Sequence, residues 1–162
     1  MASKNRKRIL LLAWISIAGL LIALAVWFSR SFYLPRQTAP ESYARVLRDE
    51  RAAGWRFADH FPDTISAAAT GVHFFFQPAA LQGPTQLELR CTLPREQITS
   101  IERQFATKAT TRTTASDWPQ FRQIPQGFEK YILGVQEGNK GFDYGVAIDS
   151  KTSEVIYWAE EW

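Results

Sequence analysis

From Ile9 to Phe28 the chain reads ILLLAWISIAGLLIALAVWF, a run without one charged residue. In a helix, at about 1.5 Å of rise per residue, it reaches about 30 Å, the thickness of a bilayer's hydrocarbon core. The sequence therefore predicts a transmembrane helix over 9–28, in contact with membrane lipid. Lys4, Arg6, Lys7 and Arg8 crowd the segment before it, and such a basic leader stays on the cytoplasmic side. Arg30 and Arg36 make a weaker cluster after it, so the expected topology is single-pass, with a cytoplasmic tail at 1–8 and the body outside. Ala23-Leu24-Ala25 also fits the small-residue pattern of signal-peptidase cleavage. The run is longer than the ~7–15 residues of a signal-peptide core, which favours an uncleaved signal-anchor. Either way the body is exported. The expected location is a bacterial inner membrane with a periplasmic or extracellular domain.

The charge balance supports that division. The chain carries 19 Lys and Arg against 16 Asp and Glu, a formal +3. Four of the cations precede residue 9 and every acid follows residue 28, so the body is close to neutral. A nucleic-acid binder concentrates positive charge on its folded part, and this chain does not. Cys91 is the only cysteine, which excludes an intrachain disulfide and any multi-cysteine metal site. The body must be held by its apolar core, and roughly 120 residues suffice for one domain.

Residues 29–39 read as a stalk, with Pro35 and Pro40 breaking any continuing helix. The domain is expected over 40–162. Thr38 and Glu41 have capping-box spacing, and Tyr43, Val46 and Leu47 then share one helical face until Gly54 stops the helix. Trp55-Arg-Phe57 and Phe61-Pro-Asp-Thr-Ile65 form an aromatic-rich connector. Val72, Phe74 and Phe76 alternate as in a strand, which Pro78 ends; Leu87, Leu89, Cys91 and Leu93 alternate more cleanly. Pro94 opens a second helix striped by Ile98, Ile101 and Phe105. Residues 109–126, rich in Thr, read as the longest irregular stretch. Strands at Phe128–Gln136 and Phe142–Asp149 flank a Gly-rich hairpin turn, and Val155–Glu160 follows. The expected fold class is α+β: the transmembrane helix, then one antiparallel sheet of five strands in the order β-β-α-β-β-β, with two helices.

Chemistry is sparse in this pattern. His60 and His73 lack zinc-site spacing, and no phosphate loop, dinucleotide fingerprint or nucleophile elbow occurs. No metal and no cofactor is expected. Asp59/Asp63 and Glu160/Glu161 are the paired carboxylates, most simply read as solvated surface charge. An acid–base role for Asp59, His60 and Asp63 in a membrane-tethered hydrolase is the enzymatic alternative. The ending Ile156-Tyr-Trp-Ala-Glu-Glu-Trp162 sets aromatic rings beside carboxylates, as protein-recognition patches do. Trp118 and Phe121, in the irregular stretch, join Tyr157, Trp158 and Trp162 as candidate partner-binding residues. Tyr157 and Trp158 point opposite ways on a strand, so one of them leaves the main core.

The run Phe61-Pro62…Ile65, the strand Val72–Phe76, Pro78…Leu81-Gln82-Gly83, Leu87…Leu89…Leu93-Pro94 and the ending Tyr157-Trp158-Ala159-Glu160 resemble segments of small bacterial extracytoplasmic proteins. Those are uncharacterised lipoproteins and membrane-anchored domains. The likeness implies a bacterial envelope protein and no activity; a lipobox cysteine is missing here. The function expected is binding of another envelope protein, as an immunity-type protein or an accessory subunit. A purely structural envelope role is the further alternative.

Overall fold

A computed structural model describes residues 19–24, 26, 36–79, 83–114, 124–136, 138 and 141–162. The chain divides into two compact units at Leu34/Pro35. In the first unit, residues 19–24 and 26 are helical, and Leu20, Leu21, Ile22, Leu24 and Val26 are exposed. The expected transmembrane helix requires correction. Among the described residues no helix is long and apolar enough to cross a membrane; a crossing takes about 20 consecutive residues. Residues 9–18, 25, 27 and 28 of the expected span lie outside the described residues, as do the tail at 1–8 and the stalk up to 35. The single-pass anchor and the inner-membrane location that rested on this span fall with it.

The second unit is an antiparallel sheet with helices on one face. Its strands are β1 (Thr70–Gln77), β2 (Thr85–Thr92), β3 (Thr111–Thr113), β4 (Glu129–Gln136), β5 (Phe142–Asp149) and β6 (Glu154–Glu161). They lie in the order β1-β2-β6-β5-β4-β3. The expected meander of the last three strands is present, and β6 also pairs with β2. That second pairing makes β6 a central strand. Among the described residues the sheet has six strands, not the expected five. Thr111, Arg112 and Thr113 pair with Ile132, Tyr131 and Lys130, inside the stretch read as irregular. Arg112 holds the short strand in place: its guanidinium pairs with Glu129 and lies 5.3 Å from the Tyr131 ring centroid. Three polar residues carry no apolar alternation, so the pairing is a product of the tertiary structure.

Helix α1 (Tyr43–Ala52) buries Tyr43, Val46 and Leu47, the expected face. Its start differs from the capping-box expectation. A 3-10 turn over Pro40–Ser42 leads into it, with no side-chain cap. Its end matches the Schellman pattern, in which the amides past the helix close on its last carbonyls. Gly54 N–H donates to the Arg51 carbonyl at 3.0 Å and Trp55 N–H to the Glu50 carbonyl at 3.0 Å. Gly54 has φ of 88°, a left-handed conformation that a side chain would strain. Helix α2 (Arg95–Ala106) buries Ile98 and Phe105. Before α1, Gln37 bridges Phe76 through two backbone hydrogen bonds of 2.8 and 2.9 Å, extending the sheet beyond β1.

Each face of the sheet carries its own cluster. On the helix side Tyr43, Phe74, Leu87, Leu89, Phe105, Val146, Val155 and Tyr157 pack together. On the far side Phe128, Ile132, Ala147, Ile156 and Trp158 form a second cluster with Ile124. The run Val155–Ala159 is buried without interruption because β6 is covered on both faces. Gly145, opposite Trp158 in register, explains how so large a ring lies flat on the sheet. A Cβ there would come within 2.7 Å of the Trp158 ring and 2.4 Å of the Tyr131 carbonyl.

Candidate binding cleft

The connector between α1 and β1 is wound around one side chain. Arg51 projects from the last turn of α1 and donates to the carbonyls of Phe61 at 2.8 Å and Ala58 at 3.3 Å. It also pairs with Asp63 at 2.6 Å and lies 3.9 Å from Asp59. Loop carbonyls with no strand to pair with are thus met by a fixed cation. The loop then presses Phe57, His60 and Phe61 onto the sheet.

These rings meet the sheet's own. Phe57 stacks on Phe142 with centroids 4.6 Å apart and lies 5.3 Å from Tyr144. His60 lies 4.6 Å from Phe61 and 5.6 Å from Tyr144. Trp55 donates its indole N–H to Glu161 at 2.8 Å, which ties the start of the loop to the end of β6.

A cleft of about 590 Å³ opens between this loop and the end of α2. Phe57, Phe142, Tyr144 and Leu133 give it an aromatic and aliphatic lining, while Arg56, Asp59 and Lys108 supply the charges. All three charged residues are exposed. Asp59 faces Arg51. Arg56 and Lys108 make no ion pair with a carboxylate among the described residues. Lys108 lies 5.9 Å above the Phe105 ring. The cleft therefore offers an apolar floor under a net positive rim.

His60 also lines the cleft but is turned inward. Its Nε2 is 2.9 Å from the Gly145 carbonyl, which can only accept, so Nε2 carries the proton. Nδ1 is buried with no hydrogen-bond partner among the described residues. Burial pushes the imidazole pKa down to about 4, outweighing the Gly145 carbonyl. His60 is neutral at pH 7, and its bare nitrogen does not reach solvent.

The paired carboxylates do not converge on it. Asp59 and Asp63 have side chains 66% and 88% exposed, and both belong to Arg51. A general base needs a reachable lone pair next to a nucleophile; the bare nitrogen of His60 is sealed, and the two reachable carboxylates are engaged by Arg51. Glu160 and Glu161 separate across the sheet, as adjacent strand residues must. Glu161 takes the Trp55 indole on one side. Glu160, 3% exposed, accepts from the Gln86 amide at 2.6 Å on the other. No group of three His, Cys, Asp or Glu residues among the described residues is placed to hold a metal.

The expected partner-binding residues have diverse places. Tyr157 and Trp158 are 4% and 1% exposed, one in each cluster, and present almost no surface. Trp162 is half-buried and donates its indole N–H to the Gly138 carbonyl at 2.9 Å. Trp118 and Phe121 lie outside the described residues. The sequence reading passed over Arg56, Phe57, Lys108, Phe142 and Tyr144. A signal existed for three of them: Phe142 and Tyr144 share one strand face, and Phe57 sits in the aromatic connector. Their meeting is long-range and leaves no trace in spacing.

Comparison of the chain with family models, with curated proteins and with solved structures finds no match in any of the three.

Proposed function

We propose that this domain is a binding module for another protein, and that the cleft between the 56–60 loop and the sheet receives it. One observation supports this above others: an aromatic floor lies beneath Arg56 and Lys108, two exposed cations without carboxylate partners among the described residues. Aromatic anchors in a concavity supply contact energy, and a rim of one charge sign selects the partner and speeds encounter. The matching surface is an acidic segment bearing an apolar or aromatic side chain that packs over Phe57 and Tyr144.

Photo-crosslinking of the full chain tests it, with a benzophenone amino acid at Leu133, a half-buried lining residue. The expected result is a discrete protein adduct whose partner, once identified and purified, binds the wild-type chain saturably. Charge reversal by Arg56→Glu with Lys108→Glu should weaken that binding at least about ten-fold. Binding unchanged by the reversal removes the reading.

A further inference from the structure

A second hollow lies on the same face of the sheet, between α2 and the segment 62–66. Its volume is about 280 Å³, near the lower bound of about 300 Å³ usual for small-molecule sites. Leu89, Cys91 and Tyr157 form its sheet side, Ile65 and Ile101 its walls, and every residue lining it is uncharged. This sets it apart from the cation-rimmed cleft.

Tyr157 is the unusual member. It is 4% exposed, yet its hydroxyl makes no hydrogen bond among the described residues. Burial, with Cys91 beside it, pushes the phenol well above its ordinary range, so it stays an O–H donor at any physiological pH. The hydroxyl is not one of the sealed polar atoms without a partner, so it stays open to an acceptor atom placed in the hollow. An ion brought here would shed its water and meet no counter-charge. The wall and floor suit an apolar body, the Tyr157 hydroxyl suits one acceptor atom, and Thr64, Gln97, Ser100 and Gln104 add uncharged polar groups to the lining.

We propose that this hollow binds a small uncharged amphiphile, its apolar body against Ile65, Leu89 and Ile101 and its carbonyl-type acceptor taking the Tyr157 O–H. The proposal is independent of the protein-binding reading, since the two sites share no lining residue.

The full-length protein, labelled at isoleucine methyls, is titrated with three neutral ketones of different shape: benzylacetone, methyl pentyl ketone and cyclohexyl methyl ketone. Hydrocinnamate, the charged analogue of the first, is the control. At least one ketone should saturate at millimolar concentration or below and shift the Ile65 and Ile101 methyls. Hydrocinnamate should bind at least about ten-fold more weakly. Tyr157→Phe keeps the ring and removes the donor, and should cost the ketone about five-fold in affinity. Ser100→Trp, an exposed position on the lining, should block binding. The proposal fails if no ketone saturates, if hydrocinnamate binds as well, or if Tyr157→Phe binds as the wild type does. Should Tyr157→Phe not fold, undiminished binding by Ser100→Trp overturns it instead.

Discussion

The buried imidazole of His60 makes the domain acid-sensitive in a defined window. In the unfolded chain the group titrates near 6.5, and in the fold burial holds it near 4. Between those values the unfolded chain binds a proton that the folded one refuses, so stability falls as pH falls. Two and a half units at about 1.4 kcal/mol each give a full loss of about 3 kcal/mol below pH 4, of which about 1.3 kcal/mol is lost between pH 7.5 and 5.5. Over that upper interval ordinary carboxylates stay ionised. Urea unfolding of the full chain at pH 7.5 and 5.5, followed by tryptophan fluorescence, reads it directly. At about 1–3 kcal/mol per molar urea, the wild-type midpoint should drop by about 1 M. His60→Gln retains an N–H for the Gly145 carbonyl and does not titrate, so its midpoints at the two pH values should coincide. A wild-type midpoint that does not move, or a His60→Gln midpoint that moves equally, refutes the assignment of His60 as a neutral buried group.

Three further outcomes follow from packing. Trp158→Ala removes a ring that is 1% exposed and should cost about 3–5 kcal/mol in chemical denaturation. Gly145→Ala drives a methyl against the Tyr131 carbonyl and the Trp158 ring; a loss of about 1–3 kcal/mol is expected. Arg51→Ala strips the 58–63 loop of its central donor, which should lower stability by about 1–3 kcal/mol. Amide exchange should show the loosening in that loop and leave β6 protected.

Local periodicity carries the elements it can describe. Tyr43, Val46 and Leu47, and then Ile98, Ile101 and Phe105, mark the buried stripes of α1 and α2. Leu87, Leu89 and Cys91 mark the inner face of β2. The order of the sheet is not local: β6 lies between β2 and β5, and its continuous apolar run Val155–Ala159 is the trace of that central position. β3 escaped because Thr111–Thr113 has no alternation of its own and depends on Arg112 meeting Glu129. The capping-box expectation failed because Pro40 starts a 3-10 turn, placing Thr38 outside the helix. Hydropathy at 9–28 predicted a spanning helix, and no described helix has the length for one. The site was the least legible. Asp59 and His60 are neighbours in sequence, yet one faces solvent beside Arg51 and the other faces Gly145. The rings that line the cleft come from residues 57, 142 and 144, joined only by the fold.

The measurement closest to the central claim is an amide-shift titration of the full chain with two short peptides. One carries phenylalanine flanked by glutamates, the other phenylalanine flanked by lysines. The cation-rimmed aromatic cleft predicts saturable shifts for the acidic peptide at Phe57, Lys108, Phe142 and Tyr144, and none there for the basic one. Equal response to both peptides, or shifts confined to the Trp158 face of the sheet, would contradict it.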